Sequence, residues 1–553
     1  MFSPRSMLPV CLSLILLSLA VLIWRGLPIS PVPAFAQSDE ACPPLPPPSG
    51  NVVHVSTVAQ LQNAVNTATS GTTILVADGT YHLNGVYLRF AVPGVTLRSA
   101  SGNREAVVLD GNYITDEIVQ IAASDVTIAG LTLREAYYHP IHVVTTGASH
   151  TLNTLIYDVH IIDPGEQAIK INPAVAGYYP DDGLIACSHI ELTDAGRPHI
   201  RNNCYTGGVD AHQAWGWVIR DNLIEGFWCP SGLAEHGIHM WRGCRDTLVE
   251  RNLLRDNARG IGFGLVTGGD GRTYPDDPCP GAGGGYVDHY GGIVRNNFVF
   301  ASRDGLFASE YGFDCGICLW QACGAQVLHN TVASTQAPAA SSIEWRFDHT
   351  DVDIINNLVT YRLWDRGGSA YLAGNLEHQP LSTFLDGPGG DLHLAPSAAH
   401  AIDQGVEVAA GLCDDDVDGD LRPIGPGRDV GADEYGVPPP PAVTDLRVTQ
   451  AITSAGTLTA TLAWTAPPGA VTTTLRYAEA LISEANWASA LLITDTLPGS
   501  AETFTATVPY GGGTAYFALK SQNSGGDWSG LSNNAFWPAW DVYLPLVLKR
   551  SNG

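Results

Sequence analysis

The chain has 553 residues, 45% of them hydrophobic, which is enough apolar material for a large core and more than one domain and too much for a disordered chain. Its formal net charge of −27 argues against nucleic acid as a partner, because no basic stripe exists to neutralise phosphates. Sixty glycines and 36 prolines against three methionines imply many turns and few long helices, so the expected class is all-β.

Arg5, an apolar run over residues 8–24, and Ala34-Phe35-Ala36 before Gln37 have the order of a secretory signal spanning residues 1–36. The expectation is a secreted or cell-surface protein with no membrane span after cleavage, an uncleaved anchor being the alternative. Without Cys11, ten cysteines remain, an even number suited to disulfides. Cys187 with Cys204, Cys229 with Cys244, and Cys279 with Cys315 are candidate staples, although spacing does not determine connectivity. Cys315-Gly-Ile-Cys318 has the spacing of a redox or zinc pair but lacks a matching second pair. Residues 37–50 read as a proline-rich spacer, extended and without a core role. Leu61, Ala64, Val65 and Ala68 then lie at helical spacing behind a Ser56/Thr57 cap, which suits a short helix closing one end of a stacked coil.

Short strands follow, and their clearest register is an asparagine behind an apolar pair: VIRDNLI, LVERNLL, IVRNNFV, QVLHNTV and DIINNLV. Asn222, Asn252, Asn297, Asn330 and Asn357 are thereby placed in one column, spaced by 30, 45, 33 and 27 residues. The long interval holds a glycine-rich insertion at residues 266–290, expected to be a lid or wall. A unit this short cannot bury itself and must stack on its neighbours, with the buried amides satisfying backbone groups and one another. The pattern resembles the pectate-lyase-like superfamily, which implies a right-handed parallel β-helix across residues 51–436.

A second strand precedes each asparagine strand: IHVV, IKIN, VDAH, IHMW, IGFG, ICLW and IEWR. Alternate residues of a strand face opposite ways, so the apolar positions point inward. His142, Lys170, Asp210, His239, Gly262, Cys318 and Glu344 then form one outward column, and Val144, Asn172, His212, Trp241, Gly264, Trp320 and Arg346 another. Coils roughly 4.8 Å apart let neighbouring members share a ligand. Lys170, Asp210, His212 and His239 are the catalytic candidates, with His236, Trp241, Arg242, Arg259, Trp320, Glu344 and Arg346 as substrate contacts. Gly262 and Gly264 are expected to leave a groove beside them. From residue 195 to 260 eight arginines face seven acidic residues, so an anionic ligand meets no general repulsion there.

The stretch GVDAHQ around Asp210 and His212 resembles the G-F/I-D-P-H motif of mannuronan C5-epimerases, with Gly207 in place of the family's tyrosine and Ala211 in place of its proline. A second similarity, to chondroitin- and alginate-cleaving β-helix lyases, rests on Trp241-Arg242-Gly243-Cys244 ahead of residues 249–252, with Trp241 in register with their arginine. Both resemblances imply removal of the C5 proton of a uronic acid within an acidic polysaccharide or cell-surface glycan. Lys170, His212 or His239 would move the proton, Asp210 would orient them, and Arg242 or Arg259 would hold the sugar carboxylate. A lyase is the leading expectation, an epimerase the close alternative, and a noncatalytic adhesin or glycan-binding protein the reading from another class.

Near the end of the coil, Asp414, Asp416, Asp418 and Asp420 alternate around Gly419, a spacing compatible with calcium, although Gly425 stands where a distal glutamate is usual. This segment resembles an end piece of secreted β-helix proteins, with calcium as the secondary possibility. A proline linker at residues 437–441 leads to residues 442–537, where Trp464, Tyr477 and Tyr516 resemble core markers of a fibronectin type III sandwich. Residues 538–553 read as a strand-like tail.

Overall fold

The structure, a computed structural model, describes residues 42–283, 285–437, 439–523 and 525–537. The expected signal and the C-terminal tail lie outside the described residues. Among those described, no helix is long and apolar enough to cross a membrane.

The apolar alternation of the strands produces a parallel β-helix. Three parallel sheets, of fourteen, ten and ten strands, are built from strands of successive coils, and their inward side chains share one core. In the sheet that carries the candidate site, Ile141 pairs with Ile169, Val209 with Ile238, Ile261 with Ile317, and Ile317 with Ile343. Lys170 therefore sits beside Asp210, Asp210 beside His239, and His212 beside Trp241, in the expected register.

In the later coils one bend uses a left-handed residue, Asp221, Arg251, Asn296, His329 or Asn356, directly followed by a ladder asparagine. The Asn252 Nδ2 donates to Asn297 Oδ1 at 2.9 Å and to Ile219 O at 2.9 Å, while its Oδ1 accepts from Asn222 N at 3.2 Å. The same pattern runs from Ser188, whose N–H donates to Asn222, to Asn375. At the N-terminal end the helix Val58–Thr67 starts where Thr57 accepts a hydrogen bond from Gln60 N, and it buries Leu61, Ala64 and Val65 over the core.

One expectation gains detail and one is corrected. The described part of the proline spacer is tied down: Pro43 O accepts from Tyr157, Pro46 O accepts from Arg98, and Cys42 is disulfide-bonded to Cys187. The other disulfides are Cys204–Cys229, Cys279–Cys323 and Cys315–Cys318, while Cys244 and Cys413 are buried thiols. None of the three sequence-suggested pairings forms, because each partner is set by which coil or loop the fold lays beside a cysteine, from three residues away for Cys315–Cys318 to 145 for Cys42–Cys187.

The far end is closed by an antiparallel hairpin, Phe384–Asp386 with Asp391–Leu394, and by the segment after it. Arg422, fully buried, pairs with Glu434 and donates to the carbonyls of Asp415, Gly431 and Ala432, which makes this segment an end piece. The C-terminal unit packs a three-stranded antiparallel sheet and a four-stranded one over a core containing Trp464 and Tyr477, and resembles a fibronectin type III sandwich. Phe517 enters that core; Tyr516, adjacent in the strand, points to the other face.

Candidate functional site

Asp210 lies on the face of its strand opposite the core and is nevertheless fully buried. Its Oδ2 forms an ion pair with Lys170 Nζ and accepts from Tyr205 Oη at 3.3 Å. Its Oδ1 accepts from Trp241 Nε1 at 2.7 Å. Lys170 Nζ also has Tyr205 Oη at 3.3 Å and His212 Nε2 at 3.1 Å. Burial by itself would raise the Asp210 pKa, but Lys170 and His212 reverse that and hold it well below the carboxylate range. Burial lowers the His212 pKa against the pull of Asp210, so its ring is neutral near pH 7. Burial and then Asp210 raise the Tyr205 pKa, which keeps the phenol protonated. A lysine, a neutral imidazole and a phenol thus converge on one carboxylate, with His212 partly open to solvent at 14% side-chain exposure.

Tyr205 was not among the sequence candidates. It reaches Asp210 from the loop two residues ahead of Gly207. That loop bends through Asn202, Asn203 and Cys204, all left-handed, and is held by Cys204–Cys229. The only sequence signal for it is a tyrosine two residues ahead of the strand Gly207–His212.

His239 and His236 are fully buried one coil further on. The His239 ring stacks on Trp241 at 5.1 Å, with Nδ1 2.9 Å from Glu235 Oε2 and 3.9 Å from Asp210 Oδ1. Burial, His239 and Arg259 push the His236 pKa well down. Gly262 and Gly264 leave no groove: a Cβ on Gly262 would meet His236 Nε2 at 2.5 Å, and one on Gly264 would meet Trp320 O at 1.8 Å. These glycines admit an imidazole and a neighbouring backbone, which occupy the expected opening.

The remaining candidates spread along the sheet. Arg259 pairs with Asp314 at 2.8 Å and lies over Trp320. Trp320 is buried and donates to Glu344 at 2.7 Å, and Glu344 is also held by Ser341 and Arg366. Arg346 rests on Phe347, away from Lys170. Arg242 is the partly exposed arginine beside Trp241, paired with the exposed Asp270. The insertion is pinned by Cys279–Cys323, by Arg272 bound to Asp181 at 2.7 Å, and by Asp288 accepting from Arg242 N at 3.0 Å.

The four alternating aspartates do not converge on one point. Asp416 Oδ1 accepts the backbone N–H groups of Asp418 and Asp420, and Asp414 accepts from Gly411 N. Asp418 lies instead with His393 and Asp433, one of four groups among the described residues whose ligand atoms lie within 4.8 Å of each other; the others are His236 with Cys315 and Cys318, His160 with His189 and Glu191, and Glu235 with His236 and His239.

No family model matches the chain, and no curated protein matches it. Among solved structures it is similar to an alginate lyase from Paenibacillus sp. str. FPU-7, with 17% identity, 60% of this chain and 98% of that chain covered, and a TM-score of 0.40. It is also similar to the tailspike protein of E. coli bacteriophage HK620 in complex with a pentasaccharide, with 11% identity, 59% of each chain covered and a TM-score of 0.38. A Fn3-like protein from Clostridium thermocellum aligns with 18% of this chain and 90% of its own length, with 22% identity and a TM-score of 0.14.

Proposed function

We propose that this chain is a secreted or cell-surface enzyme, a right-handed β-helix joined to a fibronectin type III-like spacer, that cleaves an acidic, uronate-containing polysaccharide by β-elimination. The observation that carries the reading is the convergence of Lys170, Tyr205 and His212 on the ionised Asp210, at a point where His212 is partly exposed. His212, whose ring is neutral, takes the C5 proton, and the C4–O bond breaks with its electron pair going to the glycosidic oxygen. That oxygen takes a proton from Tyr205 or a protonated neighbour, and a C4=C5 double bond is left. Asp210 orients the proton carriers, and Arg242 is the cation placed to meet the sugar carboxylate. His239 and His236 lie behind this point, Trp241 donates to Asp210 beside it, and Arg259, Trp320 and Glu344 lie buried further along the sheet, with Arg346 beyond them. The four disulfides support an extracellular setting. A calcium ion at the end piece would be held through Asp418 and Asp433, not through the four alternating aspartates together, and would take no part in these steps.

The same proton carriers serve C5 epimerisation if the C4–O bond survives. Incubation with a panel of uronate polymers in deuterated buffer separates the outcomes. A lyase produces the ultraviolet absorbance of the unsaturated uronate, and an epimerase introduces deuterium at C5 without it. Both signals are expected to vanish in Lys170→Met and fall strongly in Tyr205→Phe. Neither signal on any polymer would sink the catalytic reading and leave a glycan-binding protein.

A further inference from the structure

Glu235, His236 and His239 occur as E-H-x-x-H where a loop enters the strand His236–Trp241, and their polar atoms meet below the surface. Glu235 Oε2 lies 2.9 Å from His239 Nδ1 and 3.9 Å from His236 Nδ1, and the imidazole centroids are 4.2 Å apart. Glu235 Oε2, His239 Nδ1 and both His236 nitrogens are buried and make no hydrogen bond. Buried polar atoms in folded proteins almost always have a partner, so four unpartnered ones in one spot need an explanation.

The tautomer of His239 narrows it. Its Nε2 lies 3.1 Å from the carbonyl oxygen of Gly264, which only accepts, so Nε2 carries the hydrogen. In the neutral ring Nδ1 then presents a lone pair to the Glu235 carboxylate, which also only accepts. Two acceptors facing each other require a positive charge between them. A metal-bound histidine commonly donates its other N–H to a backbone carbonyl, as His239 does to Gly264.

The geometry points to a zinc-class divalent metal site formed by Glu235, His236 and His239. Two imidazoles and one carboxylate suit zinc rather than calcium, which prefers oxygen ligands. Ligand bonds of about 2.0–2.2 Å place tetrahedral ligands roughly 3.3 Å apart, and the observed 2.9 and 3.9 Å bracket that spacing. Asp210 Oδ1, 3.9 Å from His239 Nδ1, is the nearest further oxygen ligand. The histidine groups elsewhere are closed by their own contacts: His160 bonds Glu105 and Glu191, His189 bonds Glu225, and His393 bonds Asp391 and Asp418. The cysteines beside His236 are joined to each other. The inference does not depend on the chain acting on a polysaccharide.

The test uses the whole purified protein, stripped with a chelator and titrated with Co(II) and then Zn(II). Wild type is expected to bind one equivalent of Co(II) with the intense visible bands of a low-symmetry site, to exchange it for Zn(II), and to melt at a higher temperature when loaded. Glu235→Gln, nearly isosteric and at the edge of the cluster, and His236→Gln should each weaken binding on the order of 100-fold. His393→Ala should leave binding unchanged. Circular dichroism of the stripped proteins separates loss of binding from loss of fold, and Glu235→Gln decides the matter if His236→Gln does not fold. Wild type that takes up no ion overturns the proposal, because Glu235 and His239 then share only a proton. So does binding that survives Glu235→Gln or is lost in His393→Ala.

Discussion

Two polar columns run along the same coil and reach opposite solutions. In the asparagine column every ladder amide from Asn222 to Asn357 has partners for both its oxygen and its nitrogen in adjacent coils. In the column from Lys170 through Asp210 to His239, charged groups are buried just as deeply but leave Glu235, His236 and His239 with unpartnered atoms. Desolvation costs both columns alike, yet hydrogen bonding repays it fully only in the first. Polar groups satisfied by their own neighbours build scaffold, and those left with capacity are placed for ligands and proton transfer.

The sharpest way to break this contrast is to remove one charge from the second column. Lys170→Met leaves Asp210 buried without its cation and should cost about 3–5 kcal/mol, read from the urea midpoint. Adding Asp210→Asn should recover most of that stability while activity stays absent, and a double variant no more stable than the single one would show that the ion pair is not the cause. In the first column, Asn297→Ala removes donors to Val249 O, Arg295 O and Asn330 Oδ1, and should cost about 3 kcal/mol in the same assay with turnover per folded molecule unchanged.

A smaller effect is expected from pH, and it has opposite signs in two regions. Burial lowers His139 to about 4 and His289 to about 3 from 6.5. Folded values below the unfolded one mean stability that is present above pH 6.5 and lost as pH falls through 4 to 3. At the end piece, burial raises Asp416 and Asp429 to about 7 from 3.8. Folded values above the unfolded one mean stability present below 3.8 and lost as pH rises through 7. Melting temperature should therefore peak between these limbs; His139→Asn should flatten the acid limb and Asp416→Asn the neutral one. The smallest change is Thr57→Ala, which removes the cap of the terminal helix and should cost about 1 kcal/mol without touching either column.

Periodicity made much of the molecule legible before any coordinates. The inward isoleucines, the asparagine spacing and the Thr57 helix each repeat or terminate a local rule, and a strand's two-residue period assigns Lys170, Asp210 and His239 to one face once coils are in register. Strand geometry depends on backbone hydrogen bonding common to all residues, which is why composition and spacing determined it. Tyr205, the filling of the space over Gly262 by His236, the Cys42–Cys187 bond and the unpartnered atoms of Glu235 were decided only by the tertiary structure. Each depends on where a loop of irregular length comes to rest against another coil, and that is set by packing between residues with no periodic relation in the chain.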